Sequence, residues 1–200
     1  GVGKLPERVQ TKSDEKTTAD LRVQEYNMLR LSSQIAAEDY IDIRFRLPSG
    51  LDYIVVSKKK VEIPQIDGVD SANTIWLQLT EDEILAMSNA IVENYLIEGS
   101  VLYTAKYVEP GTQEKATPTY VPSAEVQSLM RDNDSNIVNT AKMALLTRYN
   151  SNTSVRDNIN SSKNSVDVDD ATSNISSGVK QEVSTAQEQR QDYLDALSGN

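Results

Sequence analysis

From Ser151 to Asn174 the chain is a Ser/Asn/Asp-dominated run with only isolated apolar residues. Such a composition buries too little apolar surface to offset the entropy lost on ordering, so this run cannot build a core of its own. A helix-prone stretch follows from Ile175 to Leu197, in which Val179, Val183, Ala186, Arg190, Tyr193 and Leu197 recur at spacings of four and three. That is a heptad register with a polar break at Arg190. A stripe this thin does not stabilise an isolated helix in water. The expectation is a tail ordered by lying on another molecule, with 151–174 as a linker and 175–200 as a helical interaction segment. Val179, Val183, Ala186, Tyr193 and Leu197 are its candidate contacts.

The chain has 200 residues, the size of one domain with extensions. Gly1 to Lys16 is polar and charge-mixed and reads as an N-terminal arm, which leaves 17–150 for the core domain. There is no Cys and no His, which removes disulfides, thiolate chemistry and the commonest general base and metal ligand. The missing Cys fits a reducing cytoplasm or a virus particle assembled in one. No run approaches the roughly 18–20 apolar residues that span a bilayer, and Gly1 to Thr18 has no stretch resembling a signal peptide. The formal net charge is −10, and Ile66 to Gly99 carries Asp67, Asp70, Glu81, Asp82, Glu83, Glu93 and Glu98 with no Lys or Arg. A strongly anionic surface is expected there, which would repel nucleic-acid phosphates. Lys58-Lys59-Lys60 is the one dense basic run, read as a solvated turn or guarded sheet edge, or else as a phosphate or partner contact.

The pattern along the core predicts an α+β fold: a small helical bundle with an antiparallel hairpin or sheet, and an extended C-terminal arm ending in a helix. Leu21, Gln24, Met28, Leu31 and Ile35 recur at helical spacing and predict a first helix beginning between Thr17 and Asp20. Its apolar face serves intramolecular packing or a neighbouring subunit. Ile41, Ile43, Phe45 and Leu47 then alternate with polar residues, Pro48-Ser49-Gly50 turns the chain, and Leu51 to Val56 returns, which together predict a hairpin. Thr74 to Leu79 alternates again, with Trp76 opposite Ile75, Leu77 and Leu79, either covered by another layer, the favoured reading, or exposed for a partner.

Thr80-Glu81-Asp82-Glu83 is a capping box opening a core-facing helix over 81–98, stopped by Gly99. A strand over Val101 to Val108 carries Tyr103 and Tyr107. Ser123 caps a helix with Val126, Leu129 and Met130. A polar turn from Asp132 to Asn136 leads to another helix, with Ile137, Ala141, Ala144, Leu145 and Tyr149 on one face.

No motif for chemistry survives scrutiny. Asp132-Asn133-Asp134-Ser135-Asn136 starts like a calcium loop, yet Ile137 stands where the bend needs Gly and Met143 where a bidentate Glu would close the site. Asp167, Asp169 and Asp170 form an acidic cluster without a closing ligand. Gly1-Val2-Gly3-Lys4 lacks the spacing and the Ser/Thr of a phosphate loop. Glu81, Asp82 and Glu83 could in principle serve a carboxylate-based hydrolase, but their place in a first helical turn already explains them as dipole partners. No catalytic, cofactor-binding or metal residues are assigned, and no cofactor.

Nine Tyr stand against one Phe and one Trp. Tyr joins apolar area to a polar end and is favoured at protein interfaces, so Tyr103, Tyr107 and Tyr193 are further candidate contacts.

With its helical body, the hairpin around Leu47-Pro48-Ser49-Gly50-Leu51 and the long Ser/Asn/Asp-rich tail ending in a weak helix, the chain resembles virion structural proteins of tailed phages. The likeness is to adaptor or ring proteins stacked between portal and tail in short-tailed phages, including the crAss-like group. It implies a non-enzymatic subunit of a closed homo-oligomeric ring, a dodecamer in such families. The ring would sit in the virion tail or connector, assembled in the bacterial host cytoplasm beside the portal and other tail-ring proteins. DNA would pass through without specific binding, and no membrane is involved. The alternative is a coiled-coil assembly scaffold or chaperone.

Overall fold

The computed structural model describes residues 20–132 and 139–199. In chain order its elements are β1 (Arg22–Tyr26), β2 (Tyr40–Arg46), β3 (Asp52–Lys60), β4 (Gln65–Ile66), β5 (Val69–Asp70) and β6 (Ile75–Leu79). There follow α1 (Glu81–Leu96), β7 (Val101–Lys106), α2 (Ala124–Asp132), α3 (Asn139–Ser151), α4 (Thr153–Asn164) and α5 (Val168–Ser198). The architecture is α+β with antiparallel sheets, as the sequence pattern predicts. The N-terminal arm expected over Gly1 to Lys16, with its Gly1-Val2-Gly3-Lys4, and the turn and cap expected at 133–136 lie outside the described residues.

The alternation in β2 places Ile41, Ile43 and Phe45 on one face, and all three are fully buried, as is Leu47 beyond the strand. β2 is the middle strand of a sheet ordered β3-β2-β7, which explains why its inward face carries the bulkiest residues. The hairpin turn closes through Leu47 N donating to Leu51 O (2.7 Å) and Gly50 N donating to Leu47 O (2.9 Å). Gly50 sits at φ 94°, where a side chain would be strained. A bulge between Ile41 and Arg44 shifts the register against β3. There the buried Asp42 accepts the Lys58 amide at 2.8 Å.

α1 begins with the capping box. Glu83 N donates to the Thr80 hydroxyl (3.3 Å) and Thr80 N donates to Glu83 Oε1 (3.0 Å). Ala86, Met87, Ala90 and Ile91 bury its inner face, and the chain leaves through Gly99 at φ 84°.

Where a first helix was expected through Leu21, Gln24, Met28, Leu31 and Ile35, the structure has a strand. β1 pairs antiparallel with β6 from Arg22↔Leu79 to Tyr26↔Ile75. β6 buries Ile75, Leu77 and Leu79, and its backbone needs a ladder partner at that depth. β1 supplies that ladder with its backbone, and of its own side chains only Tyr26 is buried. It therefore carries almost no period-two signal. Met28, Leu31 and Ile35 still pack against the core, but from irregular chain, so their helical spacing is coincidental.

The second correction concerns 151–174. This run is not a linker: it forms α4 and the start of α5. Ile159 of α4 is fully buried in the common core. Around it, the buried Glu93 of α1 gathers partners from two segments, α4 and the loop after β7. Arg156 Nη1 donates to Glu93 Oε1 (3.1 Å) and to the Val121 carbonyl (3.0 Å), and Nη2 pairs with Glu93 Oε2. Lys163 Nζ lies 3.0 Å from Glu93 Oε2. The Tyr120 hydroxyl donates to Glu93 as well, and burial together with that carboxylate pushes its pKa far up. Ile159, the half-buried Val155 and one charge cluster thus fix a helix whose composition alone would leave it unfolded.

Removing one partner of a buried pair strands the other charges, at about 3–5 kcal/mol. Glu93→Gln is accordingly expected to lower unfolding free energy in urea by about 3 kcal/mol, while the paired replacement Glu93→Leu/Arg156→Met loses less. A single-variant loss below about 1 kcal/mol would show that α4 is anchored elsewhere.

Candidate interaction surface

α5 is the longest helix described, 31 residues or about 46 Å at 1.5 Å per residue. Asp167 caps it, its side chain accepting the Asp169 amide at 3.0 Å. That accounts for the Asp167, Asp169 and Asp170 cluster as a helix start with acidic residues at the positive end of the dipole. Along its length α5 rests on the body through small and polar residues. Gly178 meets the ring of Tyr95 so closely that a Cβ there would stand 2.5 Å from Tyr95 Cδ1. The Tyr95 hydroxyl donates to Glu182 Oε2 (2.7 Å), Asn27 Nδ2 donates to the Glu182 carbonyl (2.9 Å), and Ser71 Oγ donates to Gln189 Oε1 (3.1 Å). Burial first, and then Glu182, pushes the Tyr95 hydroxyl well up, so it remains a donor.

These contacts overturn the expectation that the tail is ordered only on a foreign surface. They also use a different face from the heptad stripe. At 100° per residue, Val179, Val183, Ala186, Tyr193 and Leu197 lie about a quarter turn from the face centred on Gly178, Thr185 and Gln189. Val179 is 43% exposed, Val183 48%, Tyr193 46% and Leu197 59%, with Leu194 beside them at 40%, and Ala186 is half-buried. The sequence-predicted residues of the distal helix therefore share one open face.

Tyr103 and Tyr107 lie elsewhere. Tyr103 is half-buried on β7, its hydroxyl donating to Asp52, which also takes Arg44 Nε at 2.7 Å. The Arg46 guanidinium stands 5.5 Å from the Tyr103 ring centroid. Tyr107 is buried, donating to Asp42 Oδ1 (2.6 Å) and accepting from the Ala116 amide (3.2 Å). Burial foremost, and then the neighbouring aspartate, raises both hydroxyl pKa values. Neither ring joins the α5 stripe.

The anionic surface expected over Ile66 to Gly99 is partly dismantled by the fold. Glu93 is buried among cations, Glu83 pairs with Lys59 at 2.7 Å, and Asp82 is buried. Burial foremost raises the Asp82 carboxyl pKa. Asp67, Asp70, Glu81 and Glu98 stay exposed. Glu81, Asp82 and Glu83 point to solvent, interior and Lys59 in turn, so they do not converge on a common substrate position. Among the described residues no cluster of three or more acidic side chains is arranged to hold a metal, and no helix is long and apolar enough to cross a membrane.

Trp76 is half-buried, its indole N–H donating to Glu25 Oε1 at 3.0 Å. The features that periodicity missed are the Glu93 cluster and the Gly178 contact. An isolated Gly inside a helical pattern was the available signal for the second.

Comparison with protein-family models, with curated proteins and with solved structures finds no match.

Gly178→Ala adds a methyl group where Tyr95 sits, and overpacking of this kind costs about 1–3 kcal/mol, against about 1 kcal/mol gained in helix propensity. The expected outcome is faster amide hydrogen exchange across 175–189 with the β2–β3 amides unchanged. Adding Tyr95→Ala should restore part of the protection, and unaltered exchange in the single variant would remove the close-approach account.

Proposed function

We propose that this chain is a structural subunit of a multiprotein assembly, docking through the open apolar stripe of α5. The assembly we assign is a phage head-to-tail connector: a homo-oligomeric ring around the DNA channel, flanked by portal and tail-ring proteins in the virion. The observation that carries the reading is the division of faces on α5, held to the body by Gly178, Glu182 and Gln189 while Val179, Val183, Tyr193, Leu194 and Leu197 stay open to water. Apolar residues aligned on the exposed face of a surface helix, here interrupted at Arg190, suit a site of protein contact. Because the body already orders the helix, docking loses less conformational entropy than a free tail would. The net charge of −10 is in keeping with DNA that slides past without sticking.

A specific feature of the stripe favours the second reading, a coiled-coil assembly scaffold. Run antiparallel against a copy of itself, the register sets Val179 opposite Leu197, Val183 opposite Tyr193 and Ala186 opposite Arg190. Each layer then pairs a small side chain with a larger one, as close packing requires.

Native mass measurement with and without Val183→Asp/Leu197→Asp tests both. A symmetric higher oligomer supports the ring, and a dimer supports the antiparallel scaffold. In either case the double variant should weaken association at least a hundredfold, about 3 kcal/mol, with its circular dichroism unchanged. A monomer at all concentrations, indifferent to the substitutions, would overturn self-assembly through α5.

A further inference from the structure

β3 and β6 touch through a single backbone bridge just beyond β3, Glu62↔Trp76, where each amide donates to the other's carbonyl at 3.0 and 2.7 Å. Counting on antiparallel from that bridge sets Lys60 against Gln78 and Lys58 against Thr80, but no ladder continues. The strands part, and a cleft of about 480 Å³ opens between them, within the usual size range of small-molecule sites. Lys58, Lys59, Lys60 and Lys115 line it, with Glu62 and Glu83 as its acidic members and Leu21, Val23, Trp76 and Leu77 as apolar wall.

The charges in the cleft are unequally balanced. Lys59 is neutralised by Glu83 at 2.7 Å, and Lys60 stands 3.8 Å from Glu38. Lys58 Nζ donates to the Gln113 carbonyl (2.7 Å) and lies about 6 Å from the rings of Tyr40 and Tyr107, with no carboxylate in its contacts. Lys115 has no hydrogen bond or ion pair among the described residues. A protein of net charge −10 thus brings two ammonium groups without a direct ion pair into one concave place against an indole ring, with Glu83 and Asp42 the carboxylates whose charge reaches Lys115.

We propose that this cleft binds a small organic phosphate, with Lys58 and Lys115 on the phosphate oxygens and Val23 and Trp76 against the apolar part of the ligand. Ammonium groups with free N–H donors satisfy several phosphate oxygens at once, and an indole face accepts a planar ring. Desolvation, and then the charge of Lys59, holds the Lys115 ammonium below its ordinary pKa, a penalty that a bound anion relieves. Thr80, Glu83 and Glu62 complete the lining, and the volume of about 480 Å³ suits a nucleotide-sized molecule. This inference stands apart from the α5 reading, since it uses none of the same residues.

Trp76 is the single Trp of the chain, so its fluorescence reports on the cleft directly. Titrating the full chain at pH 7 with ATP should give a saturable change that inorganic pyrophosphate competes away. Lys115→Gln should weaken ATP binding at least tenfold, and because Lys115 makes no contact the fold uses, it should leave thermal unfolding unchanged. Lys180→Gln, on α5, is the control and should bind as the wild type does. Three results would overturn the proposal: no saturable change with either ligand, equal weakening by Lys115→Gln and Lys180→Gln, or binding of polyglutamate with none of ATP.

Discussion

The carboxylate of Glu93 is the point on which the C-terminal half of this molecule turns. It is 1% exposed, and a charge at that depth is tolerable only with partners and hydrogen bonds around it. Arg156 and Lys163 come from α4, Tyr120 from the loop after β7, and Arg156 reaches on to the Val121 carbonyl. The carboxylate is therefore a junction at which α1, a loop and a polar helix are specified at once. Tyr120 also sets its ring edge-on to Phe45 of β2, centroids 6.0 Å apart. The charge cluster is thereby tied to the hydrophobic centre of the sheet. A helix made mostly of Ser, Asn and charged residues gains its place from geometry rather than from apolar area.

This dependence explains which parts of the fold could be read from the residues and which could not. The β2–β3 hairpin, the α1 capping box and β6 are local: their periods, turn and cap are written within a dozen residues of each other, and they form as expected. β1 was misread because an edge strand contributes backbone, and Arg22 to Tyr26 leaves no alternation to see when four of its five side chains stay out of the core. α4 was misread because hydropathy counts Arg156 and Lys163 as solvent-loving. Their partner Glu93 lies 63 positions from Arg156, in a segment whose own lack of basic residues suggested an anionic surface. The misreading of α4 and that of the acidic segment are halves of one pairing.

The stripe on α5 was legible as a register, yet it is not what orders the helix. A helix on a protein surface ordinarily turns its apolar face inward. Here Gly178 permits a closer approach than any of the valines could, and Tyr95, Asn27 and Ser71 supply hydrogen bonds to that side of the helix. Close van der Waals contact at a glycine, with polar groups satisfied on either side, outweighs burial of a thin aliphatic row. The row is then left outside on a helix that is already ordered. Holding a helix by its polar side and presenting its apolar side lowers the entropic cost of a later contact. It also keeps the valines and leucines aligned over about 27 Å at 1.5 Å per residue, which a free tail could not do. The same construction makes the orientation of the open face depend on Gly178, because any side chain at that position would collide with Tyr95 and lift the helix off α1.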